Sequence, residues 1–129
     1  MLRIVGSATF RNPTTQLVID ESDYPGASHQ AGIRWLQITT DEPCSVQVRS
    51  RDNDVPMSAT MYLGPQNNQA GELFLPITHD FWFLSPVDDG VELYFLSLAS
   101  GFTNVTVHWQ VGVEVLPSDY WTLRDQEIL

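Results

Sequence analysis

The sequence predicts an all-β fold: an antiparallel β-sandwich of eight or nine short strands, followed by a short C-terminal helix or arm. Three observations carry this expectation. Apolar and polar residues alternate with a period of two, clusters of Pro, Gly, Asn and Asp punctuate the alternation, and no interior segment has the period of a helix. The 129 residues make one domain of 14.5 kDa, and 43% of them are apolar, as in globular proteins. A chain of this size buries about two thirds of its unfolded surface, so it needs no disulfide or metal to fold. The opening MLRIVGSATF lacks the features of a secretory signal peptide, and no apolar run reaches the length of a membrane span, so a soluble domain is expected.

The elements follow in order. RIVGSATF (3–10) and TTQLVID (14–20) are strands separated by Asn12-Pro13. Glu21 to Gly32, with Tyr24-Pro25-Gly26 and a polar middle, reads as the longest loop. IRWLQITT (33–40) ends at the turn Asp41-Glu42-Pro43. CSVQVRSR (44–51) places Val46 and Val48 inward and Gln47 and Arg49 outward, and Asp52-Asn53-Asp54 follows as a turn. MSATMYL (57–63) aligns Met57, Ala59, Met61 and Leu63 on one face, before the turn at 64–68. ELFLPI (72–77), DFWFL (80–84) and VELYFLSL (91–98), like IRWLQITT, are apolar enough to be covered on both sides, and Asp88-Asp89-Gly90 reads as a hairpin turn.

The longest alternation is FTNVTVHWQVGVEVL (102–116). Val105, Val107, Trp109, Val111, Val113 and Val115 share one face; Thr106, His108, Gln110, Gly112 and Glu114 share the other. A strand so long is central or bent, with Gly112 as the expected bend or bulge. The sandwich domain is therefore assigned to 1–117 and a tail or arm to 118–129. Ser118 is a candidate helix N-cap and Asp119 suits the first turn. Tyr120, Trp121, Leu123, Ile128 and Leu129 make the tail apolar, suited to folding back over its own sandwich or to docking on a neighbouring subunit.

Charge excludes some partners. Sixteen acidic residues face six Arg and no Lys, a net charge of -10. Such a chain repels polyphosphate and anionic lipid, so neither nucleic acid nor membrane is an expected partner. Cys44, the single cysteine, excludes a disulfide scaffold and reads as a small buried residue. His29, His79 and His108 are widely separated, and no HxH or HExxH spacing occurs. Asp52 and Asp54 offer oxygens to calcium but lack the rest of an EF-hand loop. There is no GxSxG elbow, P-loop or dinucleotide fingerprint, and no carboxylate pair is singled out. No catalytic, cofactor-binding or metal residue is assigned, no cofactor is expected, and the chain is not expected to be an enzyme. Its aromatics, among them Trp35, Trp82, Trp109, Trp121, Tyr24, Tyr62, Tyr94 and Tyr120, either fill a core and interfaces or offer stacking faces to a sugar.

The stretch GVELYFLSLASGFTNVTVHWQVGVEVLP (90–117) resembles the last two strands of small viral capsid and capsid-decoration (cement) jelly rolls. The resemblance implies a jelly-roll-like sandwich and a structural protein of the virion. Genome-packaging coat proteins carry a basic N-terminal arm; its absence here implies an outer or accessory position on the shell. The implied partners are further copies of the chain, as a homo-oligomer, and other virion shell proteins. The residues expected at such interfaces are Arg49 and Arg51, which alternate onto one strand face, together with Trp82, Tyr120, Trp121, Leu123, Ile128 and Leu129. The rival reading is a carbohydrate-binding module, which predicts rings aligned on one solvent-facing surface.

Overall fold

The computed structural model describes residues 2–64, 71–75 and 83–120, with the backbone alone for 73–75. Among the described residues nine strands follow in order: β1 (Leu2–Phe10), β2 (Thr14–Ile19), β3 (His29–Thr40), β4 (Cys44–Ser50), β5 (Met61–Leu63), β6 (Gly71–Leu75), β7 (Phe83–Leu84), β8 (Val91–Ser97) and β9 (Val105–Pro117). A 3-10 turn, η1 (Glu21–Asp23), lies between β2 and β3; the Asp20 side chain caps it by accepting from the Ser22 N–H.

All pairings are antiparallel and form two sheets. One has the order β1-β9-β3-β6, with β7 also on β3; the other has the order β2-β8-β4-β5. The pairings are nested. β1 meets β9, β2 meets β8, β3 meets β6 and β7, and β4 meets β5. The chain is thus one long antiparallel ribbon rolled into two layers, which is the jelly-roll arrangement. The predicted sandwich is therefore present, with its layers joined by connections that mostly cross between sheets.

The core is made by the alternation itself. Val105, Val107, Trp109, Val111 and Val113 of β9 and Ile33, Leu36 and Ile38 of β3 face Val46 and Val48 of β4 and Val91, Leu93 and Phe95 of β8, all of them buried. Phe10 closes one end, its ring centroid 5.8 Å from that of Phe95. Cys44 is buried, as expected, and burial pushes its thiol pKa up.

Several boundaries differ from the sequence expectation. β3 begins at His29 because the long β9 supplies partners down to Pro117, which shortens the expected 21–32 loop. MSATMYL yields only β5: Pro56 makes an isolated bridge to Arg49, and the Ser58 hydroxyl takes the Val48 N–H that a neighbouring strand would otherwise occupy. Asp88-Asp89-Gly90 is not a hairpin turn, because β7 and β8 belong to different sheets. β3 and β8 are not covered on both sides; Trp35, Tyr94 and Leu96 sit part-exposed on outer faces. The bulge expected at Gly112 falls on the facing strand, where Arg34 is the extra residue between Ile33 and Trp35. Residues 118–120 start a helical turn at Ser118, whose N–H donates to the Ser28 carbonyl at 2.7 Å.

Candidate functional site

The outer face of the first sheet carries a groove of about 500 Å³, lined by side chains from β1, β9 and β3. Strand register explains which residues meet on this face, in the groove and beside it. Ser7, His108 and Thr39 form one row across the sheet; Val5, Gln110 and Gln37 form the next; Arg3, Gly112 and Trp35 form a third. A directed relay of side-chain hydrogen bonds crosses four strands. Arg3 Nε donates to Gln110 Oε1 (2.9 Å), Gln110 Nε2 donates to Gln37 Oε1, and Gln37 Nε2 donates to Glu72 Oε1 (3.2 Å). The Arg34 bulge turns Trp35 onto this face. The indole lies over Gly112, where a Cβ would collide with its pyrrole atoms, so a glycine is required under the ring. Arg34 is held by Glu114, with Nη2 at 2.5 Å and Nε at 2.7 Å from Oε2. A second cavity of about 300 Å³ adjoins the groove, sharing Thr39 and His108 and reaching Asp41, whose Oδ1 accepts the Thr106 N–H at 2.8 Å.

A second cluster gathers acids at one end of the sandwich, where η1, the loop after β4 and the turn before β8 meet. Carboxylate oxygens of Glu21, Asp52 and Asp89 lie within 4.8 Å of one another. Asp89 is buried and serves as a loop pin: Oδ1 accepts the Asp52 N–H (2.8 Å), Oδ2 accepts Asn53 Nδ2 (3.0 Å), and its backbone carbonyl accepts the Tyr24 hydroxyl (2.6 Å). Burial pushes the Tyr24 pKa up to about 12, so the phenol stays a donor. Arg51, expected on a strand face beside Arg49, lies past the end of β4. It bridges this cluster instead, 3.2 Å from Asp52 and 3.5 Å from Asp20. Arg49 does face outward on β4, but its guanidinium stacks 3.8 Å over the Tyr94 ring and its Nε donates to Gln47 (2.7 Å). Of the two aspartates read as calcium ligands, Asp52 joins the cluster, whereas Asp54 turns to Glu92 through a left-handed backbone (φ 50°).

Glu92 is only 8% exposed. Burial, reinforced by the Asp54 carboxyl and only partly offset by Arg49 and Arg51, raises its pKa to about 7. The unfolded chain ionises this carboxyl near its ordinary value of about 4.3. The folded state therefore binds the proton more tightly, and stability falls as pH rises from about 4.3 to about 7, then levels off. Urea denaturation across this range is expected to show that loss in the wild-type protein and its absence in Glu92→Gln; parallel curves would refute the assignment.

The remaining expected residues scatter. Tyr120 is exposed at the start of the helical turn, while Trp82, Trp121, Leu123, Ile128 and Leu129 lie outside the described residues. His29 and His108 sit at opposite ends of β3 and its partner β9, and His79 lies outside the described residues. The rings do not form one row: Trp109 and Tyr24 are buried, Trp35 lies on the first sheet, and Tyr62 and Tyr94 lie on the second. Sequence reasoning missed Asp89, Glu92 and the glutamine relay. A carboxylate between apolar residues, as in Val91-Glu92-Leu93, was the available signal for Glu92. The second sheet also exposes apolar side chains. Tyr62 (74% exposed) shares a row with Ser45 and Leu96 (37%), and Leu17 (49%) lies two rows away beside Glu92. Comparison with known protein families and with characterised proteins gives no match.

Proposed function

We propose that this chain is a non-enzymatic structural protein of a virion, a decoration or accessory shell protein that binds copies of itself and neighbouring shell subunits. The carrying observation is the outer face of the β2-β8-β4-β5 sheet, where Tyr62, Leu96 and Leu17 stand exposed around the Arg49–Tyr94 stack. Large apolar side chains grouped around an Arg–aromatic stack have the composition of the centre of a protein interface. The rolled, nested strand order is one that viral capsid domains use, which supports the shell reading by analogy of fold. The net charge of -10 turns such a surface away from the genome and toward other proteins.

Sedimentation velocity tests the reading. The wild-type chain is expected to form a discrete oligomer or to co-sediment with shell particles, and the double variant Tyr62→Glu, Leu96→Glu is expected to do neither while keeping its β-sheet circular-dichroism spectrum. A wild-type chain that sediments as a monomer and binds no shell would overturn it.

A further inference from the structure

We propose that the groove on the outer face of the β1-β9-β3-β6 sheet is a binding site for a neutral oligosaccharide. This inference does not rest on the assembly role proposed above, which uses the opposite sheet. It starts from an inventory of chemistry. The groove presents two side-chain amides, a guanidinium, hydroxyls and an imidazole within three adjacent rows. Each amide both donates and accepts, so it can bond a sugar hydroxyl in either sense.

The relay fixes these groups before any ligand arrives. Arg3 orients Gln110, Gln110 orients Gln37, and Gln37 ends on the Glu72 carboxylate. The direction is the same at every link, so both amides have a defined flip. Each keeps a second N–H and a second lone pair for a ligand. Groups held in place by their own hydrogen bonds lose less freedom on binding than free surface side chains.

Trp35, which flanks the groove on the same sheet face and is not among its lining side chains, supplies the other half of sugar recognition. Its indole lies across Gly112, one row from Gln110 and Gln37, and is part-exposed. A pyranose has an apolar C–H face and a hydroxyl edge; the ring takes the first and the amides take the second. Val5, 62% exposed beside Gln110, widens the apolar contact. The two adjoining cavities, about 500 and about 300 Å³, are of the size of small-ligand sites, about 300–1,000 Å³.

Charge and backbone narrow the ligand class. Among the described residues Arg3 is the one cationic side chain lining the groove, Glu72 closes the relay, and the chain carries a net charge of -10, so an anionic or sulfated polymer finds little to hold it. An extended peptide adds to a sheet through free backbone groups at an edge. Here the ligand surface is the face of a sheet, and β9, at its centre, is paired on both sides by β1 and β3. Side chains alone do the recognition, which suits a ligand whose polarity is all hydroxyl.

The test is a printed array of cello-, malto-, xylo- and manno-oligosaccharides beside sulfated and uronic-acid glycans, followed by calorimetric titration of the strongest ligand. Binding to at least one neutral series is expected. Gln110→Ala and Trp35→Ala are each expected to weaken it at least tenfold, while Tyr62→Ala on the other sheet leaves it unchanged. Trp35→Phe guards against misfolding of the Ala variant, since it keeps an aromatic ring over Gly112 and is expected to retain part of the affinity. Binding of none of the neutral series, binding of anionic glycans alone, or neutral binding indifferent to Gln110→Ala would each overturn the proposal.

Discussion

Trp109→Ala is expected to cost about 3–5 kcal/mol of folding stability, the largest effect of any single truncation in the core. Trp109 is 5% exposed and is the largest side chain of the inward face of β9. Its seat is made by Gly6 on β1, directly opposite in register, where a Cβ would collide with the six-membered part of the indole. The ring and the glycine are therefore one unit. Gly6→Val, alone, is expected to cost about 1–3 kcal/mol by overpacking. Combined with Trp109→Leu, which clears the space, it is expected to cost less than the sum of the two single changes. Urea denaturation of the four proteins in the cycle gives the coupling energy directly. A cycle that closes additively would show that Gly6 is not there for the indole.

Gly90→Val is expected to be nearly as damaging, at about 3 kcal/mol, for a different reason. A Cβ at Gly90 meets the Ile19 carbonyl oxygen and lies 3.2 Å from the Asp20 Cα, so the obstacle is backbone at the end of β2 and cannot rotate away. The same position carries a structural hydrogen bond, from the Arg51 N–H to the Gly90 carbonyl at 3.0 Å. The change would separate η1 and the loop after β4 from the turn before β8, and with them the Asp89 pin. Thermal denaturation and hydrogen exchange are expected to report the loss together, with the Asp52 and Arg51 amides among those that lose protection. A protein with wild-type melting would refute this account of Gly90.

The fold was legible wherever one strand face is apolar and the other polar. The run from Val105 to Val113 announced its inward face, and of the two readings its length allowed, central or bent, the central one holds for β9, which is paired on both sides. Elements decided by distant partners were not legible. His29 to Gly32 look like loop, yet they pair with β9; Met57 to Thr60 alternate correctly, yet the Ser58 hydroxyl replaces the backbone there. The groove was half legible. His108 and Gln110 belong to the recognised polar face of the last strand, but Gln37 reaches Gln110 only through register, and Trp35 joins the same face only through a bulge that no local pattern encodes. Arg49 and Arg51 show the opposite failure: correct alternation on paper, but the strand stops between them.

The nesting of strands has a consequence for how the molecule comes into being. β1 finds its partner in β9, roughly a hundred positions downstream, and β3 also waits for β9 to fill the gap between them. While the chain is being synthesised, β1 and β3 thus belong to a layer whose middle plank does not yet exist. Closure so remote in sequence is slow, on general grounds of loop entropy. The nascent polypeptide therefore passes through a stage with two apolar ribbons open to chance pairing, and chaperone demand during expression is expected to track the delay before residue 117 leaves the ribosome.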